Sequence, residues 1–176
     1  MKKLVFLLNF ILISGCACYA QNTITHSAIT FKIKNLGIDV GGTIGGLQAN
    51  INFNPANLAA ASIEASVDVK TLNTDNSLRD EHIKSDEFFD PARYPKILLK
   101  SVSIVHKSGN KYTGRFNLTI KNKTKAVEIP FVYTSKGPET TFNGTFKINR
   151  LDFGLGDSSL TLSNEVVISI DASFRD

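Results

Sequence analysis

The stretch Tyr112-Thr113-Gly114-Arg115-Phe116-Asn117-Leu118-Thr119-Ile120 sets the fold class. Tyr112, Gly114, Phe116, Leu118 and Ile120 share one parity, and Thr113, Arg115, Asn117 and Thr119 share the other. Successive side chains of a strand point to opposite faces, so this is a strand with one apolar and one wet face. Upstream, the same period runs through Ile29, Phe31 and Ile33, through Leu47, Ala49, Ile51 and Phe53, and through Ile63, Ala65, Val67 and Val69. Downstream, it runs through Val127, Ile129, Phe131 and Tyr133, then Phe142, Gly144, Phe146 and Ile148, then Val166, Ile168, Ile170, Ala172 and Phe174. Asn54-Pro55-Ala56-Asn57, Lys107-Ser108-Gly109-Asn110, Asn122-Lys123 and Ser135-Lys136-Gly137-Pro138 are turn signals between the runs. Connections this short predict hairpins and an antiparallel meander. Pro130 has no N–H to give a ladder and predicts an edge, a bulge or a splayed pair.

About eight strands with one apolar face predict an all-β domain, either a sandwich or a closed barrel. Gly42, Gly114, Gly144, Ala49, Ala65 and Ala172 stand at apolar parity. Small residues there either mark bends in the sheet or leave interior space, and an eight-stranded barrel with a partly filled interior holds one slender ligand. Residues 71–96 break the alternation, and one or two short helices are expected at about 75–92. Ser77-Leu78-Arg79-Asp80 has capping-box spacing, and Ser85-Asp86-Glu87 puts two acids in what would be a second first turn. If Phe88 and Phe89 are helical, at most one faces squarely inward; packing on the outside or end of the sheet is the favoured reading for both.

The chain has 176 residues, 42% of them hydrophobic and 20% charged, which is the composition of one globular domain. The formal charge is +4, and Lys2 and Lys3 contribute two of those charges from what reads as an export leader. So small a net charge points to neither nucleic acid nor an acidic partner. Leu4 to Ile13 is an apolar run broken by Asn9, too short to span a bilayer and matched to a signal-peptide core. Cys18-Tyr19-Ala20 allows cleavage before Gln21, giving a 1–20 signal peptide and a single domain over 21–176. Ile13-Ser14-Gly15-Cys16 offers the competing reading of a lipoprotein signal in which Cys16 is lipidated. Export, most simply to a periplasm, is expected either way. Both cysteines lie in this segment, so a chain cleaved before Gln21 has no disulfide and no thiolate ligand.

Catalytic and metal motifs are weak. His26, His82 and His106 lack ligand spacing, and no metal site is expected. Arg79-Asp80-Glu81-His82 with Asp86-Glu87 resembles an acid/base cluster by composition, but neighbours on a helix point in different directions, so a solvated face is the simpler reading. Gly41-Gly42-Thr43-Ile44-Gly45-Gly46 lacks the lysine of a phosphate loop and precedes no helix, so it reads as a twisted connection between strands. No G-x-S-x-G elbow is present.

Several blocks, in order from about residue 23 to 176, together resemble the YceI-like family of exported, lipocalin-like proteins. They are Ser27-Ala28-Ile29-Thr30-Phe31-Lys32-Ile33-Lys34; Ile51-Asn52-Phe53-Asn54-Pro55; Arg79-Asp80 with His82-Ile83-Lys84-Ser85, Phe88-Phe89-Asp90 and Tyr94-Pro95-Lys96-Ile97; Gly114 with Leu118-Thr119-Ile120 and Lys125; and Arg150-Leu151-Asp152-Phe153-Gly154. The departures are the glycines of 41–46, Leu99 for the usual phenylalanine, and Asn122 at a turn position that is commonly glycine. The resemblance implies an extended antiparallel barrel of about eight strands with a short helical insert. It also implies a long apolar tunnel holding a polyisoprenoid such as a quinone, or another long-chain amphiphile, with no cofactor and no chemistry performed. Tunnel-lining candidates are Phe31, Ile33, Ala49, Ile51, Ala65, Val67, Leu99, Phe116, Leu118, Phe131, Phe142, Phe146 and Ile168, with Leu78, Ile83, Phe88 and Phe89 closing one end. Arg150 either pairs with Asp152 to fix the last corner, the preferred role, or meets a ligand head group. The competing functions are a structural or interaction module anchored through Cys16, and an exported enzyme using Asp80 and His82.

Overall fold

The structure is a computed structural model that describes residues 23–175; the expected leader, with Cys16 and the expected cleavage before Gln21, lies outside the described residues. Nine strands form one sheet: β1 (Thr23–Asn35), β2 (Ile38–Ile44), β3 (Gln48–Asn52), β4 (Ser62–Asp68), β5 (Lys96–Ser108), β6 (Lys111–Ile120), β7 (Lys123–Lys136), β8 (Glu139–Asn149) and β9 (Leu162–Arg175). Their order is β2-β1-β9-β8-β7-β6-β5-β4-β3, and every pairing is antiparallel. Neighbouring strands follow one another in the chain except where β1 pairs with β9, which brings the two ends of the domain together; β4 and β5 are joined through the insert.

The sheet curls into a barrel, and its edge strand β2 is tied to the chain that leaves β4 and not to the other edge strand, β3. At the closure Asp68 donates its N–H to the Gly45 carbonyl at 3.0 Å, and Thr43 and Asn73 exchange two backbone hydrogen bonds at 2.8 and 3.1 Å. The edge of β2 is thereby bridged at Thr43 to the chain that leaves β4, which covers part of an otherwise open edge. The glycines at 41 and 42 belong to β2 itself and are not a connection between strands. Gly42 lies under the ring of Phe31; a Cβ there would sit 2.6 Å from Cζ of that ring and 2.5 Å from the Asn73 carbonyl oxygen. Gly114 carries the ring of Phe116 in the same way. At these two positions the space left by glycine is taken by a neighbouring aromatic ring.

Pro130 marks a splayed pair. β7 is bonded to β6 over Lys123–Val132, but its ladder to β8 begins only at Phe131, opposite Gly144. The far ends of β7 and β8 diverge, and the 3₁₀ turn Arg150–Phe153 follows directly from β8, with Phe153 fully buried. One end of the barrel is closed by aromatic rings. Phe53 meets Tyr133 at 4.7 Å, Tyr112 at 5.2 Å edge-on and Phe142 at 5.5 Å, and Phe142 meets Phe174 at 6.0 Å. Tilted and edge-to-face rings of this kind add to the area they bury.

The insert is a single helix, α1 (Ser77–Ile83), followed by turns. Its cap is Asn76, whose Oδ1 accepts from the Arg79 N–H at 3.0 Å, so Ser77 does not begin a capping box. Asp80 does not reach back to a cap amide. It accepts from the backbone N–H and the hydroxyl of Thr74, at 2.8 and 2.6 Å, and these bonds hold its carboxyl below its ordinary pKa. No second helix forms at 85–92. Asp90 donates its N–H to the Ser85 carbonyl, adopts a left-handed φ of 49° and takes the Arg93 side chain on its carboxylate.

Candidate ligand cavity

Between the aromatic plug and the insert the barrel encloses a cavity of about 710 Å³. Its wall is built by the inward parity of the strands: Phe31 and Ile33 from β1, Ala49 and Ile51 from β3, Ala65 and Val67 from β4, and Leu99 from β5. Phe116 and Leu118 from β6, Phe131 from β7, Phe142 and Phe146 from β8, and Ile168 from β9 complete it. Cross-strand register sets small side chains next to one another on the wall. Ala65 lies opposite Ala49 on one side and Leu99 on the other, so two methyl groups and one leucine face the interior in a row.

The insert lies across the open end and is pinned at three places. Asn73 holds it to β2; Lys121 Nζ donates to the Asp86 carbonyl at 2.8 Å; the Gly156 N–H donates to the Glu87 carbonyl at 3.1 Å. Gly156 has a φ of 64°, and the Phe88 ring lies where its side chain would be, so a larger residue would push this ring off. Arg79, His82 and Ile83 line the cavity, which is the i, i+3, i+4 stripe of one helix face. Leu78 does not line the tunnel. It precedes that stripe by one residue, about 100° around the helix, and is 77% exposed. Phe88 and Phe89 both line the cavity, because the chain there is a turn and neighbouring residues are not forced onto opposed helix faces.

A polar collar surrounds the mouth: Asn35, Thr74, Arg79, His82, Glu87, Asp157, Ser158, Ser159 and Thr161. Arg150 also reaches the cavity and is 2% exposed. Its partner is not Asp152. The guanidinium donates to the carbonyls of Ser163, Leu155 and Asp157 at 3.0, 2.7 and 2.7 Å and to Asn164 Oδ1 at 3.1 Å. Burial pulls its pKa down from the ordinary guanidinium value, and the negative charge of Asp157 opposes that shift. The fork stitches the loop 155–164 to the 3₁₀ turn and so fixes one lip of the mouth.

The suspected acid/base residues have structural partners. Asp80 is engaged by Thr74, and the His82 ring stands edge-on to Phe88 at 4.9 Å. His26 lies 3.9 Å from Asp171 on the outside, and His106 bonds the Gly109 carbonyl at a hairpin end. Among the described residues no three His, Cys, Asp or Glu side chains come together as a metal-holding group. Several lining residues were absent from the sequence candidates: Ile29, Val40, Ile44, Leu47, Leu72 and Ile97. Ile29 shares the parity of Phe31 and was legible; Leu72 and the collar residues Ser158, Ser159 and Thr161 lie in irregular chain with no period to read.

The family model for the YceI-like domain matches residues 19–174. A UPF0312 protein of Pseudomonas savastanoi pv. phaseolicola is 31% identical over 153 residues, covering 80% of this chain and 79% of the relative. A UPF0312 protein of Vibrio cholerae is 29% identical over 137 residues, covering 74% and 72%. Among solved structures, BcnA of Burkholderia cenocepacia superposes with a TM-score of 0.80 at 26% identity, covering 84% of this chain and 95% of that one. A polyisoprenoid binding domain from Saccharophagus degradans shares the fold with a TM-score of 0.71 at 12% identity, covering 88% and 98%. With the matched model spanning nearly all of the barrel, the chain belongs to the YceI-like family.

Proposed function

We propose that the protein is an exported carrier that holds one long apolar lipid, a polyisoprenoid such as a quinone or another long-chain amphiphile, inside the barrel and makes or breaks no bond. The observation that carries this reading is the cavity: about 710 Å³, walled by Phe, Ile, Leu, Val and Ala, stopped at one end by aromatic rings and collared at the other by polar side chains. That volume lies within the range of small-molecule sites. A tail placed there leaves water at about 0.8 kcal/mol per methylene, so ten methylenes supply roughly 8 kcal/mol before the cost of ordering the chain. The collar suits the polar head of the same molecule, which would otherwise be desolvated without partners. The polyisoprenoid-binding domain of like fold supports the ligand class. The leader-like segment Lys2 to Ala20 supports export, and Cys16 supplies the anchor if the lipoprotein signal is the one used.

The test is native mass spectrometry of protein isolated from an exporting host in a non-dissociating detergent-free buffer, followed by solvent extraction. One isoprenoid or acyl lipid per chain is expected. A protein that isolates empty and also takes up neither decylubiquinone nor a long-chain fatty amide overturns the reading.

A further inference from the structure

The lips of the cavity carry large apolar side chains that are mostly exposed to water. Leu36 and Ile38, on the β1–β2 hairpin, and Leu160, on the loop before β9, are all strongly exposed. These three belong to one lip, because the Leu36 N–H donates to the Thr161 carbonyl at 2.8 Å and Asn35 pairs with Leu162. Asn35, Thr161 and Leu162 line the cavity, so this lip is its rim. Leu78 projects to solvent from α1, the element whose Arg79, His82 and Ile83 line the mouth.

Leu36 also occupies an unfavourable backbone position. Leu36 and Gly37 are the two central residues of a tight hairpin, with φ of 52° and 79°. Turns of this kind take Asn or Asp before Gly, since a left-handed φ suits those short polar side chains. The leucine side chain there is 73% exposed, so little burial offsets the conformation, and it sets an apolar tip on the rim.

We infer that this rim docks the protein on a lipid bilayer, with Leu36, Ile38, Leu160 and Leu78 entering the interfacial region and the cavity mouth facing the membrane. The inference rests on the carrier reading for its purpose but on separate residues for its evidence. A bilayer fits better than a second protein. A stable protein interface needs on the order of 1,200 Å² or more of complementary surface. Side chains scattered on two turns and a helix start do not make such a face, whereas single apolar tips enter an interface independently. Docking this way lets a tail pass between membrane and cavity without crossing bulk water, where its exposure is most costly.

The test is co-sedimentation with vesicles of phosphatidylethanolamine and phosphatidylglycerol in a three-to-one ratio, using full-length protein from an exporting host in a Cys16→Ser background so that no lipid anchor contributes. The protein is expected to partition to vesicles, and the double variant Leu36→Asn/Leu160→Ser to partition roughly a hundredfold less, about tenfold for each leucine. The variant should melt no lower than its parent, because asparagine accepts the left-handed φ; a weakened fold is thereby separated from a weakened dock. Equal sedimentation of both proteins, or no sedimentation of the parent, overturns the inference. So does a parent that is dimeric by light scattering while the variant is monomeric, since the rim then holds a second copy. Lipid content is read on the same samples: a lipid-loaded protein that ignores vesicles removes the docking surface alone, and an empty protein that binds them removes the carrier reading alone.

Discussion

If the interior at Ala65 is open space, filling it should strengthen the empty protein and weaken its hold on lipid. Ala65 faces the cavity between Ala49 and Leu99, and none of the three presents more than a leucine to the interior. Ala65→Phe places a ring in that space. In a filled core such a change is overpacked and costs about 1–3 kcal/mol. In a cavity the ring is buried without displacing a neighbour and contributes about 2 kcal/mol. For a domain of this size that is a rise in melting temperature of roughly 4–8 °C. The same ring takes the room of about four methylenes of a bound tail, which costs the ligand roughly 3 kcal/mol, or about a hundredfold in affinity. The measurement is a pair: thermal melting of solvent-extracted protein, and decylubiquinone binding by the same preparation. The two quantities are expected to move in opposite directions. A variant that melts below the parent shows that the space beside Ala65 is not free. A variant that melts higher but binds decylubiquinone as well as the parent shows that the tail does not lie in this part of the barrel.

Arg150→Met should cost about 3 kcal/mol or more in urea unfolding, because three carbonyls and Asn164 lose a charged donor in a site only 2% exposed; Arg150→Lys should recover little, since one ammonium cannot reproduce the fork. Asp80 and Asp90 are both held below the ordinary carboxylate pKa, by hydrogen bonds from Thr74 and from Arg93 respectively. Their contribution is therefore fully present above the unfolded value near 4 and is lost as pH falls through the lower folded values, so stability should be flat from pH 7 to 5 and decline below about 4. In Asp80→Asn, which keeps an acceptor for Thr74, the acid limb should be shallower; an unchanged limb by urea midpoint against pH would refute the assignment. Gly42→Ala should free the insert, since its methyl group would sit 2.5 Å from the Asn73 carbonyl oxygen, and the expected signature is faster hydrogen exchange at the Thr43 and Asn73 amides with the β8–β9 ladder unchanged.

The strands were legible because a half-buried strand writes its period into the chain. Tyr112 to Ile120 pairs with β7 residue for residue as its alternation requires, and the final run from Val166 to Phe174 lies against β1 and β8 together. β2 was missed because Gly41 and Gly42 carry no side chain to set a parity; what makes them strand residues is the Phe31 ring lying over Gly42, a contact that exists only once β1 and β2 have paired. The choice of barrel over sandwich was illegible for a related reason, as closure rests on backbone bonds at Gly45 and Asn73 that leave no mark in composition. In the insert, no period places Phe88 and Phe89; only the family resemblance sets both at the end of the tunnel, where the structure has them. The turn from Ser85 to Asp90 is set by the left-handed Asp90 and its hold on Arg93, and side-chain bonds of that kind obey no period. The collar is the least legible part. Arg150 announces itself only as a charge near Asp152, whereas three of its four partners are main-chain carbonyls, which any sequence could supply, and the fourth is the side chain of Asn164.

A hollow interior forfeits the packing contacts that a filled one would make, so the barrel has to be held together at the ends of the cavity. The division of the apolar residues reflects this. At the closed end Phe53, Tyr112, Phe131, Tyr133, Phe142 and Phe174 touch one another ring to ring, and elsewhere Val69 and Leu72 in one apolar cluster and Phe153 in another are almost wholly withdrawn from water. The mouth is secured differently, by a few hydrogen bonds from Asn73, Lys121, Gly156 and Arg150 to main-chain groups. Such bonds are each worth about 1 kcal/mol net, or about 1.5–3 kcal/mol where Lys121 or Arg150 is the donor, and they are few. Opening should therefore start at the insert while the plug stays closed, which admits a tail end-on without unfolding the sheet. A bound lipid then supplies the contacts that the empty cavity lacks, and by mass action a loaded protein at a hundredfold excess over its dissociation constant gains about 2.7 kcal/mol. The same wall residues that leave the empty barrel underpacked are thus the ones that make the occupied barrel the more stable state.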